Sequence, residues 1–233
     1  MSPPGRPKGE YRSAQHEGTP MSPPGRPKGE YRRAQPEGTP VSAQAVDMSI
    51  ALERPGPACA QAWRTRPYRE ALQLRDGRRV TLRPAHRSDA GALQAFFAAL
   101  SPRSRLMRFH GVVNRIPDGV LRDFTTQVPQ RHVALVAMTE TDDGLPVLLA
   151  EARYVVDADT RCAEFALAVA DDWQGQGLGR ALLQRLALHA RAEGLAMLEG
   201  SVRPDNEPVL ALIRGLGATL HPRGPELWAR FAW

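Results

Sequence analysis

Glu164-Phe-Ala-Leu-Ala-Val-Ala170 runs straight into Asp171-Asp-Trp-Gln174-Gly-Gln-Gly-Leu-Gly-Arg180, and Ala181-Leu-Leu follows. The first seven residues read as a strand, and Leu182, Leu183 and Leu186 repeat with helical spacing. Between them, Gly175, Gly177 and Gly179 permit backbone turns that aim N–H groups inward. Strand, glycine loop and helix start, in that order, make an anion site. The first N–H groups of a helix lack partners and carry the positive end of its dipole. A pyrophosphate is the natural guest. The dinucleotide fingerprint G-x-G-x-x-G fails here, because counting from Gly175 or from Gly177 puts Arg180 or Leu182 where the last glycine belongs. Glu199 stands about where a ribose-binding acid would, so that alternative stays open. A lysine-bearing phosphate loop is excluded, since no lysine follows Lys28.

Outward from this stretch, strand and helix signals alternate. Residues 78–83 (RRVTLR) alternate polar and apolar until Pro84 stops them. Ser88 is placed to cap a helix whose Leu93, Phe96, Phe97 and Leu100 share one face. Ser101-Pro102 closes that helix and opens a second through Phe109. Asp118 opens a third with Leu121 and Phe124. Strands are expected at 132–139, 147–156 and 160–170, with a turn at Asp142-Asp143-Gly144. The long helix spans 177–193 and ends at Gly194. A strand at 196–202, a helix carrying Val209, Leu212, Ile213 and Leu216, and a closing strand with Leu227, Ala229 and Phe231 complete the chain. The order predicts an α/β (α+β) fold with an antiparallel meander in its middle.

Composition separates this region from what precedes it. Of 21 prolines, twelve fall before residue 71. Residues 1–20 and 21–40 are one unit written twice, differing only at Ser13/Arg33 and His16/Pro36. Such a unit has a single Tyr as its only large apolar group and is expected to be disordered. Residues 1–70 thus read as a Pro/Gly/Arg-rich tail and linker, and 71–233 as one domain. Basic residues exceed acidic ones by 11 to 7 before position 71 and by only 20 to 18 after it. The domain is nearly neutral, which argues against nucleic acid as a partner. No apolar run approaches the roughly 20 residues that span a bilayer, and the first residues lack the apolar stretch of a secretory signal. Cys59 and Cys162 are too few for a disulfide framework, and the six histidines show no metal-type spacing. A cytoplasmic protein with no metal and no membrane partner is the expectation.

Gln174, Gly177 and Gly179, preceded by a strand and followed by Ala181-Leu182-Leu183 and the downstream Val202-Arg-Pro-Asp-Asn206, resemble the (Arg/Gln)-x-x-Gly-x-(Gly/Ala) signature of the GNAT family of acyl-CoA-dependent N-acyltransferases. More narrowly, Leu74-Arg-Asp-Gly77, Leu82-Arg-Pro84 and Leu100-Ser-Pro-Arg-Ser-Arg-Leu-Met-Arg-Phe109 resemble the catalytic domains of bacterial protein-lysine acetyltransferases.

The resemblance implies a mixed, largely antiparallel sheet flanked by helices. It also implies acetyl-CoA as co-substrate, with its pyrophosphate on the N–H groups of Gly175, Gln176, Gly177, Leu178, Gly179 and Arg180. The pantetheine arm would lie like an added strand along Leu167, Ala168 and Val169, a backbone N–H near Val169 would polarise the thioester, and Asn206 would help hold the arm. Asn206 reads equally well as a plain helix cap.

Attack by an amine requires loss of a proton from an ammonium of pKa about 10.4. Glu164 is the candidate base. Strand alternation sets it beside Ala166, Ala168 and Ala170, whose small side chains leave room for a substrate, while Phe165, Leu167 and Val169 face a helix. Its other reading is a solvated strand carboxylate; Glu151 and Asp205 are the reserves. The family's tyrosine acid has no counterpart in the last helix, leaving Tyr154 as the sole tyrosine after residue 70. Cys162 reads as a buried structural thiol, with an acyl-cysteine route as its alternative. His189 reads as a surface or flank residue and Trp173 as packing. The acceptor is expected to be a protein lysine, with a small amine or a non-catalytic acyl-CoA-binding role as alternatives, in a monomer or homodimer.

Overall fold

Arg79–Pro84 and its neighbours form a single eight-stranded sheet in the computed structural model, which describes residues 68–128, 131–157 and 159–233. The tandem repeat and the linker up to residue 67 lie outside the described residues. The strands are β1 Glu70–Gln73, β2 Arg79–Pro84, β3 His132–Glu140, β4 Pro146–Val156, β5 Cys162–Val169, β6 Met197–Val202, β7 Thr219–Arg223 and β8 Glu226–Ala232. The helices are α1 Ala90–Ala99, α2 Pro102–Phe109, α3 Asp118–Thr125, α4 Leu178–Ala192 and α5 Glu207–Arg214. In space the strands run β1-β2-β3-β4-β5-β6-β8-β7. Every neighbouring pair is antiparallel except β5 and β6. That exception follows from connectivity: parallel neighbours need a crossover, and α4 supplies it.

The sheet separates two cores. On one face Leu182, Leu183 and Leu186 of α4 pack with Leu135, Tyr154, Phe165 and Leu198. On the other, Phe96 and Phe97 of α1 and Leu121 of α3 cover Ala134, Val136 and Ala168. Phe165, Leu167 and Val169 do face α4, and the fit is close. A Cβ on Gly179 would meet Leu167 at 3.4 Å and Val169 at 3.7 Å. Gly200 likewise yields its side-chain space to the Phe165 ring, which would stand 2.8 Å from an added Cβ.

The parallel junction is short. β5 and β6 pair only at Cys162↔Met197, Ala163↔Leu198 and Glu164↔Glu199. Past that point β5 continues to Val169 paired with β4 alone, and β6 to Val202 paired with β8 alone. A wedge therefore opens in the middle of the sheet, and Glu164 stands at its apex.

Two elements and one residue differ from expectation. β1 begins at Glu70 and Tyr68 is buried behind it, so the fold takes in residues 68–70 that read as linker. β7 is an additional, mostly exposed strand whose Pro222 suits an edge position, where a missing donor is tolerated. His189, expected at the surface or flank, is 4% exposed with its Nδ1 2.7 Å from the Tyr154 hydroxyl.

Candidate active site

Two cavities flank the wedge. The larger, about 510 Å³, is lined by Leu167, Ala168 and Val169 of β5, by Gln174, Gly175, Gly177, Gly179 and Arg180, and by Asn206. These are nine of the eleven residues expected to hold the cofactor. The other two do not line it: Leu178 is 1% exposed in the α4 core, and the Gln176 carbonyl accepts from Arg75 N–H at 3.4 Å. Gly175 and Gly177 hold φ of 73° and 93°, a region that a side chain disfavours. Gly177 thereby turns the loop into α4 with the helix N-terminus facing the cavity.

The loop is braced from two sides. Gln174 Nε2 donates to Val169 O at 3.0 Å and to Ser104 Oγ at 3.2 Å. Asp171 accepts from Ser101 N at 2.9 Å, Ser101 Oγ at 2.8 Å and Ser104 Oγ at 2.6 Å, tying the start of α2 to the loop. Partial burial raises the Asp171 pKa, but these serine donors outweigh it and hold the carboxyl below its ordinary value. From the other side, Arg78 stacks on Trp173 at 3.7 Å and donates to Asp172 O at 3.1 Å. Arg75, at the tip of the β1–β2 hairpin, lines the larger cavity, as does Arg103. Sequence reasoning missed both, because arginines outside the motif carry no local mark. Arg180 is tied to the end of α5 through Gly215 O at 3.0 Å.

Alternation along β5 decides which backbone groups face the wedge. Ala170 N–H donates to Leu149 O of β4 at 2.8 Å, so the even-numbered residues turn their backbone toward β4. Leu167 and Val169 then face the open side; Ala168 contributes only its small side chain. Asn206 occupies the cap position before α5, yet its side chain makes no cap hydrogen bond and lines both cavities.

The smaller cavity, about 320 Å³, holds Glu164 and Ala166 of β5, Arg108 and His110 at the end of α2, and Ser201 of β6. His110 is the second polar group that sequence reading missed, and its partner Glu226 lies on β8. Neither reserve acid lines either of these cavities. Glu151 is fully buried and clamped between Arg153 and Arg108. Burial first, and then the Arg108 charge, push the Arg153 pKa down to about 10 against the pull of Glu151. Asp205 is paired with Arg203 at 3.0 Å.

Tyr154 is fully buried on the α4 face. Its hydroxyl lies 2.7 Å from His189 and it lines neither cavity, so it is not placed as an acid; burial, and secondarily the Glu193 carboxylate, also raise its pKa. Cys162 is half-buried rather than buried and lines neither cavity. Trp173 packs against the core beneath Arg78. Among the described residues no group of three or more His, Cys, Asp or Glu is placed to hold a metal, and no helix is long and apolar enough to cross a membrane.

The site therefore joins an anion cradle, an unpaired strand edge and a carboxylate in one cleft. Residues 108–218 match the Acetyltransferase (GNAT) family. The chain is also 30% identical over 144 residues to an acetyltransferase of Pseudomonas aeruginosa, covering 62% of this chain and 77% of that one. The chain belongs to the GNAT acetyltransferase family. This acetyltransferase is 29% identical over 148 residues to the acetyltransferase Pat of Mycolicibacterium smegmatis, and spans 43% of that protein's length. The GNAT domain of Streptomyces lividans PAT shares 27% identity with a TM-score of 0.64, over 71% of this chain and 97% of that one.

Proposed function

We propose that this acetyltransferase moves an acetyl group from acetyl-CoA to a primary amine, a protein lysine, by direct attack in a ternary complex with Glu164 as general base. The observation that carries the reading is the wedge: its mouth meets a glycine cradle suited to pyrophosphate, and its apex bears an acid. Backbone N–H groups of the loop and the α4 N-terminus take the pyrophosphate, with Arg75 and Arg103 adding charge. The pantetheine amides pair with the backbone of Leu167 and Val169, completing the interrupted sheet. With Val169 O already held by Gln174, the Val169 N–H is the group left to polarise the thioester carbonyl. Asn206, uncommitted as a cap, borders both arm and acceptor.

The acceptor enters from the side of α2 and β6. Glu164 is exposed there, so an ammonium reaches it without crossing the core. A long, flexible lysine side chain suits that access, and the resemblance of residues 74–77, 82–84 and 100–109 to bacterial protein-lysine acetyltransferases supports a protein acceptor.

Incubation with labelled acetyl-CoA and a panel of proteins and small amines tests the reading. We expect label on protein lysines. Glu164→Gln should lower turnover by about 10²-fold or more while acetyl-CoA binding is kept. Absence of transfer to every amine points instead to a non-catalytic binding module, and unchanged turnover in Glu164→Gln removes Glu164 as the base. The sequence after Lys28 has no lysine, so the domain itself adds no lysine background.

A further inference from the structure

His110 is the one non-glycine residue with positive φ among the described residues, at 55°. It sits at the C-terminal end of α2, where glycine is the favoured residue, and its ring lines the acceptor cavity with Glu164. Its Nδ1 lies 2.6 Å from Glu226 Oε1, on a strand 116 positions away. Ser201 Oγ stands 3.5 Å from the same nitrogen, at the limit of a hydrogen bond. A hydrolytic triad needs serine and carboxylate on opposite ring nitrogens, so this trio is not one.

The arrangement has a different consequence. A carboxylate at Nδ1 fixes the proton on that atom and leaves the Nε2 lone pair as the basic site. Nε2 has no hydrogen bond among the described residues. It also differs from His132 Nε2, which is both buried and unpartnered. A base oriented by a third group and open to a cleft is the arrangement that proton transfer uses. The groups facing it are Glu164 from β5, Ser201 from β6, Glu226 from β8 and Arg108 from its own helix. Glu199 and Arg230, adjacent on β6 and β8, are paired with each other at 3.0 Å.

Acetyl transfer removes two protons from an alkylammonium. One leaves before attack; the other leaves when the tetrahedral adduct collapses, as the C–N bond is kept and the C–S bond breaks. The sulfur departs as thiolate and takes up one proton, and the other goes to solvent. Resting on the reading of Glu164 above, we propose that Glu164 takes the first proton, and that His110 Nε2 takes the second and delivers it to the thiolate. Glu226 is the positioning residue that holds the ring. The pair thus supplies an acid for which the last helix has no tyrosine.

The test compares His110→Asn, Glu226→Gln and Glu164→Gln with acetyl-CoA and Nα-acetyl-lysine amide as substrates. Asn tolerates the left-handed backbone, and Glu226→Gln leaves the α2 backbone untouched. We expect His110→Asn to lower kcat by about 10²-fold with KM for acetyl-CoA unchanged, and to remove a histidine limb from the pH profile of kcat. Added imidazole should restore part of the turnover of a further variant, His110→Gly, which also accepts that backbone. Glu226→Gln should lower kcat about tenfold, and nitrogen NMR should report the Nδ1–H tautomer in the wild type and its loss in this variant. The proposal is overturned if His110→Asn keeps kcat within about threefold and its pH profile, or if the wild-type ring carries its proton on Nε2. Should Glu164→Gln remain active while His110→Asn does not, the base assignment fails and this one stands.

Discussion

Glu151 shows how much a single buried charge decides. Among the described residues its carboxylate is the only anion shared by two guanidinium groups, Arg108 and Arg153, within the core under α3. The Arg153 terminal nitrogens have no hydrogen-bond partner and the guanidinium lies over the Phe124 ring. Removing the carboxylate leaves the Arg153 cation buried and uncompensated and takes from Arg108 its partner. Glu151→Gln should therefore destabilise the fold by about 3–5 kcal/mol, measured by urea unfolding. The same residue explains a limit of sequence reading. Glu151 and Glu164 look alike in a strand pattern, and only the cross-strand register shows one sealed beneath helices and the other at the rim of a cleft. His110 was illegible for a related reason: its partner Glu226 belongs to a strand that comes beside it only in the folded sheet. Gly175, Gly177 and Gly179 were legible because backbone turning is a local property.

At the scale of elements, α2 depends on the loop it helps to build. Its first turn is held by Asp171, whose carboxyl pKa lies below the ordinary value in the folded state. The sign follows directly. An acid with a depressed folded pKa contributes stability that is complete above its unfolded pKa of about 3.9 and is lost as pH falls through the folded value. Acetyl-CoA binding, followed by calorimetry, should therefore weaken below about pH 4, and Asp171→Asn should show the weakened binding already at neutral pH. Strongly periodic elements such as α1 and α4 were readable from sequence, as was the meander of β3, β4 and β5. β1 and β7 were not. β1 is four residues long, and β7 has four exposed positions out of five, so neither carries a hydrophobic alternation to detect.

The whole molecule is closed at one edge by β1. Tyr68 is 8% exposed in the α4-side core, and Glu70 bonds Arg185 of α4 at 2.6 Å. A chain begun at Tyr68 retains β1, the ion pair and the buried ring. One begun at Arg75 loses the strand, the ion pair and the buried ring together, and its melting temperature should drop by several degrees, roughly 2–4 °C per kcal/mol for a domain of this size.

The short pairing of β5 with β6 also has a dynamic signature. Amides in the centre of a sheet normally exchange hydrogen only when the structure opens globally, whereas edge amides exchange through local opening. Leu167 and Val169 lie mid-sheet by sequence of strands, but beyond β4 on one side they have no strand on the other, where their N–H groups point. In the free protein their amides should exchange as fast as those of an edge, while Ala168, turned toward β4, is slow. Saturating acetyl-CoA should slow the first two and leave the third unchanged. An alternating pattern of ligand-induced protection along one strand would record the cofactor acting as the missing strand of the sheet.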